Sequence, residues 1–146
     1  MVNVYAARGQ VRPTSCEFYE NATEPVVAYI TGPDGNYLAD ASGSGKDLVT
    51  AATVKVFDLH GATPGTAIYS ATLTVATVFT TTLTTTGDYW TLGGVGYNFI
   101  DLVTISPASF GAADGHTYRI EYTFTTTTNG KQLLEVIATC KGMVST

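Results

Sequence analysis

The sequence predicts an all-β fold, an antiparallel β-sandwich of about seven to nine short strands with an extended N-terminal arm. Residue types that suit a pleated, half-buried surface dominate the chain: Thr in runs, with Tyr, Val and Ile. Turn signals, many of them built on the 15 glycines, separate the apolar stretches. No stretch shows the hydrophobic period of a long helix. These three observations together indicate strands joined by turns.

Length and charge limit both the number of domains and the class of function. The 146 residues suit one domain, or one domain with an arm. Hydrophobic residues make up 45% of the chain and charged residues 13%, which argues against disorder. The formal net charge of −5 leaves no basic patch to neutralise phosphates or anionic lipids. We therefore expect neither a nucleic-acid partner nor a membrane partner.

Residues 1–14 are predicted to form the arm, and residues 15–146 the sandwich domain. The arm contains Tyr5, Arg8 and Arg12 and shows no clear hydrophobic period. It is either a frayed terminus or an extension that docks on a neighbouring subunit. Because it lacks the long apolar core of a secretory signal, we expect synthesis in the cytoplasm.

Two strands and a tight turn are predicted over "SCEFYENATEPVVAYITGPDGN". The strands are interrupted at residues 21–25. The turn places Pro33 at its first central position and gives Gly35 a positive φ. Beyond the glycine-rich link "ASGSGK", apolar and polar residues alternate as in a half-buried strand, with one face made of Ala52, Val54 and Val56.

The middle of the chain is predicted as further strands. The stretch "AIYSATLTVATVFTTTLTTTGDYWTL" divides into two or three strands, as indicated by the spacing of Leu73, Val75, Phe79 and Leu83. An apolar run over residues 99–105 predicts another strand. The "SPASF" that follows it is typical of a single helical turn.

The last two strands are predicted to form a hairpin around Asn129 and Gly130. A three-residue loop over residues 128–130 gives one continuous apolar face. In that register the opposed pairs are Phe124 with Leu134, Tyr122 with Val136, Ile120 with Ala138 and Tyr118 with Cys140. We therefore expect a type I turn with a G1 bulge and Gly130 in the left-handed conformation.

The two cysteines, Cys16 and Cys140, stand near opposite ends of the chain. No C-x-x-C pair occurs, which argues against a zinc site and against a thioredoxin-like site. The cysteines are either reduced, partly buried thiols, as cytoplasmic synthesis favours, or a late disulfide, within or between chains, that clamps the first strand to the last.

The motifs that suggest catalysis or ligand binding each lack residues that the chemistry requires. "GSGK" resembles a nucleotide-binding loop, but Asp40 stands at the opening glycine position and Asp47 at the hydroxyl position. The turn at Asp34 lacks the ligand spacing of a calcium loop. His60 and His116 each lie in a predicted loop without a nucleophile motif. We expect a protein that is not an enzyme and has no catalytic, metal or cofactor site.

Asp114 precedes Tyr118 by four residues at the entry to the penultimate strand, which resembles the tyrosine corner of immunoglobulin-like domains. The stretches "DGNYL", "DLVTAATVKV" and "GHTYRIEY" together resemble the immunoglobulin-like accessory domains in virions of tailed bacteriophages. The resemblance covers about residues 26–140. It implies that the sandwich is immunoglobulin-like.

The resemblance implies a structural role in a virion, as a decoration or cement protein of the capsid or as a component of the head–tail neck or the tail. The implied partners are major capsid, neck or tail subunits, together with further copies of this chain. We expect contacts through the arm and the sheet edges. The candidate partner-binding residues are Tyr5, Arg8, Arg12, Tyr89, Trp90 and Tyr97. The alternative is a module that binds glycans or a host surface through its aromatic rings.

Overall fold

The chain forms two β-sheets packed together, so the all-β prediction is confirmed. The computed structural model describes residues 2–6, 14–42, 47–61, 63, 65–86, 96–105 and 115–142. These ranges contain ten strands and one short helix, more strands than the sequence predicts. In chain order they are β1 (Val2–Ala6), β2 (Thr14–Tyr19), β3 (Thr23–Ile30), β4 (Leu38–Asp40), β5 (Asp47–Asp58), β6 (Tyr69–Leu73), α1 (Val75–Val78), β7 (Phe79–Thr84), β8 (Tyr97–Thr104), β9 (Thr117–Thr126) and β10 (Gly130–Lys141).

The first sheet has the order β1-β3-β8-β7, and the second has the order β2-β10-β9-β5-β4, with β6 also paired to β5. The prediction of an antiparallel sandwich is wrong at three outer pairs. β1 runs parallel to β3, β2 to β10, and β4 to β5. None of these pairs is joined by a tight hairpin turn. Between β1 and β3, for example, the chain forms β2 in the second sheet. It can therefore return to the first sheet with β3 in the same direction as β1.

The predicted N-terminal arm is in part a strand of the sandwich. Val2–Ala6 form β1, with Tyr5 opposite Tyr29 of β3, and β2 begins at Thr14. The sequence "VNVYA" is rich in β-prone residues, and pairing along β3 satisfies backbone groups that a detached arm would leave to water. The sandwich therefore includes part of the segment that the sequence assigns to the arm.

The core lies between the two sheets and follows the predicted alternation. Alternate residues of β9 and of the middle of β5 are buried: Tyr118, Ile120, Tyr122, Phe124, Ala52, Val54 and Val56. Aromatic rings from both sheets meet at the centre. Phe79 contacts Phe124 edge-on with 4.9 Å between ring centroids, and Phe99 contacts Tyr122 with 5.1 Å.

The C-terminal hairpin has the predicted faces in a different register. Gly130 already pairs with β9, so the loop consists of residues 127–129. Every opposed pair is shifted by two positions, and Tyr118 faces Ala138 instead of Cys140. A shift of two leaves the same side chains on each face, which is why the burial prediction is correct. Gly130 has the predicted left-handed backbone, with φ of 68°.

The hairpin loop in this register also contacts a residue distant in sequence. Asp47, fully buried at the start of β5, accepts hydrogen bonds from the backbone N–H of Thr128 at 3.1 Å and from Nδ2 of Asn129 at 2.6 Å. The hydroxyl oxygen of Thr126 accepts a third from the backbone N–H of Asn129 at 3.0 Å. The two contacts of Asp47 hold the hairpin loop against β5. They also give a structural role to Asp47, whose carboxylate already argues against a nucleotide-binding loop.

Candidate protein-interaction surface

The first sheet is apolar on both faces where β3 and β8 pair. Val26 belongs to the core, whereas Val27 lies on the other face, opposite Ile100 of β8. Two positions away, Pro25 lies opposite Leu102. A sheet with one face in water usually alternates apolar and polar residues along its strands. Apolar residues on both faces are typical of a sheet whose two faces are both covered by other parts of a protein.

A small cluster covers only the middle of this outer face. Val27 is fully buried and Tyr97 is 9% exposed, and both pack with Tyr29 and Ile100. Leu102 lies at the margin and is 57% exposed. A cavity of about 270 Å³ opens beside it, lined by Thr77, Val78, Ile100, Asp101 and Leu102. The outer apolar face is defined here as Pro25, Val27, Tyr29, Tyr97, Ile100 and Leu102.

Asp101 lines this cavity and is bonded to a residue of the core. The hydroxyl of Tyr122 donates a hydrogen bond to Oδ2 of Asp101 at 2.9 Å. Burial raises the pKa of Asp101, and the hydrogen bonds from Tyr122 and from the backbone of Leu102 offset this only in part. Burial, and then the charge of Asp101, raise the pKa of Tyr122, which therefore keeps the proton that it donates. The pair links the first sheet to the second.

Asn98 fixes the strand that carries the outer apolar face. Its fully buried side chain accepts a hydrogen bond from the N–H of Ile30 at 2.7 Å and donates to the carbonyl of Ile30 at 2.8 Å. It also donates to the carbonyl of Leu38 at 2.7 Å. The amide thus replaces a backbone peptide beyond the last ladder pair and joins three strands. Sequence reasoning missed this residue, whose one signal is a polar side chain inside the run "YNFIDLV".

Two histidines that the sequence assigns to separate loops come together at one end of the sandwich. Nδ1 of His116 lies 2.8 Å from Oδ2 of Asp58, while the backbone N–H of His60 donates to Oδ1 at 2.8 Å. Nδ1 of His60 accepts from the N–H of Thr117 at 3.0 Å. Burial opposes ionisation of Asp58, but the hydrogen bonds from His116 and His60 outweigh it and lower its pKa. The cluster fastens the end of β5 to the start of β9.

The sequence-predicted partner-binding residues fall in different places. Tyr97 lies in the outer apolar face, where its buried ring is not open for stacking on a sugar. Tyr5 lies in β1 beside that face, opposite Tyr29. Tyr118 is fully buried at the start of β9. The residues that lie outside the described ranges are Arg8, Arg12, Tyr89, Trp90 and Asp114, the predicted partner of Tyr118 in the tyrosine corner.

Cys16 and Cys140 lie on neighbouring strands and are not joined by a disulfide bond. In the parallel pairing of β2 with β10, Cys16 lies opposite Ala138 and Cys140 opposite Phe18. This offset of two residues sets the two cysteine Cα atoms about 8 Å apart, farther than a disulfide spans. Burial raises the pKa of the Cys16 thiol to about 12.

Within the ranges that the structure describes, no three side chains of His, Cys, Asp or Glu are grouped so that they could hold a metal ion. The same part of the chain contains no helix with the length and apolar character needed to cross a membrane. In comparisons with known proteins, the chain matches no family model, no curated protein and no solved structure.

Proposed function

We propose that this protein is a non-enzymatic structural component of a tailed-phage virion, either a decoration or cement protein of the capsid or a component of the head–tail neck. The outer apolar face carries the proposal. Leu102 is 57% exposed beside a cavity of about 270 Å³, on a sheet whose two faces are both apolar. Another virion protein seated on this face would complete the burial that the composition of β3 and β8 indicates.

The strand order supports an immunoglobulin-like domain. In a variable-type immunoglobulin domain, strands B, E and D share one sheet and strands C′, C, F and G share the other. Here β3, β8 and β7 take the places of B, E and D. β6, β5, β9 and β10 take the places of C′, C, F and G, in the same chain order. Tyr118 stands at the start of β9, where strand F carries the tyrosine corner. β1 departs from the pattern, because it runs parallel to β3.

Mass spectrometry of purified phage particles tests the proposal. We expect the protein in the particles, at a fixed ratio to the major capsid or neck subunit. Leu102→Asp should weaken its association with particles, because a carboxylate at the outer apolar face would be buried without a partner. Leu133→Asp is the matched control, at a 38% exposed position of β10 on the other sheet, and should associate like the wild type. A protein absent from purified particles would overturn the proposal.

A further inference from the structure

The stretch from Leu59 to Gly87 contains no Asp, Glu, Lys or Arg. It includes two outer strands, β6 in the second sheet and β7 in the first. Proteins usually protect outer strands from pairing with other chains by placing charged residues, prolines or bulges on them, or by keeping them short. Neither β6 nor β7 carries a charged residue.

The other outer strands with described side chains are protected. β2 carries Glu17, which pairs with Lys141 at 2.9 Å. β4 is three residues long and ends at Asp40. β7 changes register relative to β8 between Phe79 and Thr84, so its edge is irregular.

β6 has none of these protections. Its five residues pair with β5 without a register shift, from Leu73 opposite Ala52 to Tyr69 opposite Val56. No strand in the described part of the chain pairs with its other edge. β6 therefore offers a regular, uncharged edge to which another strand can add.

The edge of the core at β6 is also only partly covered. Ala71 and Leu73 pack against the core only in part, and Tyr69 at the start of the strand is 38% exposed. Ile68, the residue before Tyr69, is 45% exposed. One more strand along β6 would extend the core over the side chains of Tyr69, Ala71 and Leu73.

The sequence of β6 is complementary to itself. When two copies run antiparallel with Ala71 on a two-fold axis, Tyr69 of each copy faces Leu73 of the other, and Ser70 faces Thr72. An aromatic–aliphatic pair on the core side and a hydroxyl pair on the outer side are both favourable cross-strand neighbours. A net charge of −5 makes two copies repel, and the uncharged edge is where that repulsion opposes their approach least.

We propose that β6 is the surface through which two copies of this chain pair, joining their second sheets into one continuous sheet across a two-fold axis. The pairing rests on the proposed function for its purpose, since it would supply the repeating unit of the assembly. The geometry of the pairing depends on β6 alone, so the pairing and the virion function can be disproved separately.

Sedimentation analysis tests the pairing. We expect the wild type to sediment as a dimer at concentrations of tens of micromolar. Ser70→Lys with Thr72→Lys should raise the dimer dissociation constant at least about 100-fold, because ammonium groups then face each other across the axis. Both positions are exposed, so circular dichroism should show an unchanged fold. The matched control, Thr81→Lys with Thr82→Lys on β7, should remain dimeric.

A disulfide cross-link tests whether Ala71 lies on the two-fold axis. Ala71→Cys should give a covalent dimer under mild oxidation through the introduced thiols, whereas Thr81→Cys should not. A wild type that is monomeric at about 100 µM would overturn the pairing, as would a Ser70/Thr72 double variant that stays dimeric. Dissociation by Asn3→Lys in β1, with the β6 variant still dimeric, would also overturn it. A dimer through β6 that is absent from phage particles would leave the pairing in place and remove the virion function.

Discussion

Tyr122 of the second sheet donates a hydrogen bond of 2.9 Å from its hydroxyl to Oδ2 of Asp101 in the first sheet. The phenol belongs to the core, and the carboxyl lines the cavity beside the outer apolar face. The bond therefore connects the interior of the domain to the surface on which we propose that a partner sits.

Asp101→Asn should change how stability depends on pH. Because the pKa of Asp101 is raised in the folded protein, the stability linked to its protonation is present below the ordinary value of 3.8 and is lost as pH rises through the folded-state value. Urea unfolding from pH 3.5 to 8 should show the wild type losing stability relative to Asp101→Asn over that window. Tyr122→Phe removes a bond that favours the carboxylate, so it should move the window to higher pH. Parallel curves for all three proteins would contradict this.

Asn98→Ala should be strongly destabilising. The substitution removes three hydrogen bonds and leaves backbone groups of Ile30 and Leu38 buried without their partner. Leaving such groups unsatisfied should cost about 3 kcal/mol of unfolding free energy. The control is Asn36→Ala, whose exposed amide bonds only to Asp34 among the described contacts and whose loss should cost under about 1 kcal/mol. Equal costs, measured by chemical denaturation, would show that the buried amide is not a structural tie.

Asp47→Ala should loosen the C-terminal hairpin at its tip. The backbone N–H of Thr128 loses its acceptor at 3.1 Å and Asn129 loses its contact at 2.6 Å. We expect a loss of about 2 kcal/mol and faster amide hydrogen exchange at Thr128. Exchange at Ile120, in the middle of β9, should accelerate only through global unfolding. An unchanged rate at Thr128 would mean that Asp47 does not hold the loop.

Two glycines with positive φ should differ in their tolerance of alanine. Gly130 has φ of 68° and open space around it, so Gly130→Ala should cost about 1 kcal/mol for the backbone alone. Gly96 has φ of 84°, and a Cβ there would lie 2.8 Å from the carbonyl oxygen of Thr84. Gly96→Ala should therefore cost at least about 2 kcal/mol more. Thermal or denaturant unfolding that ranks them in the opposite order would refute this account.

The Cys16 thiol should resist alkylation in the folded protein. Burial raises its pKa to about 12, so at pH 8 the reactive thiolate is about a thousandfold scarcer than for an ordinary cysteine. Iodoacetamide at pH 8 should modify Cys16 at an ordinary rate in 8 M urea and very slowly without urea. Peptide mass spectrometry measures both rates, and rapid labelling of the folded protein would contradict the burial of this thiol.

Local chemistry was sufficient to predict the turns and the faces of the strands. Gly35 has the positive φ expected of it, and its N–H donates to the carbonyl of Gly32 at 3.0 Å, which places Pro33 at the first central position. Burial of Tyr118 and Tyr122 follows from alternation along one strand. Such features depend on residues only a few positions apart, and these are visible in the sequence.

Contacts between distant residues decided the features that the sequence did not predict. The hairpin loop is tied to Asp47, which lies 81 residues before Thr128. The junction around Asn98 depends on Ile30, which lies 68 residues earlier. The outer apolar face could not be placed from the run in β8 alone, because the run does not show which residues β3 sets opposite it. Pairing partners across this distance are fixed by the assembled sandwich and not by local propensity.

The parallel pairing of β2 with β10 constrains how the protein can be made. Cys16 in β2 contacts the carbonyl of Ile137 in β10, 121 residues further along the chain. While a ribosome is still elongating the chain, β2 has been synthesised long before the strand it will lie against. The second sheet can close only after β10 has left the ribosome, and contacts this far apart in sequence form slowly. We therefore expect β2 to stay unpaired, and exposed to chaperones, until β10 has been synthesised.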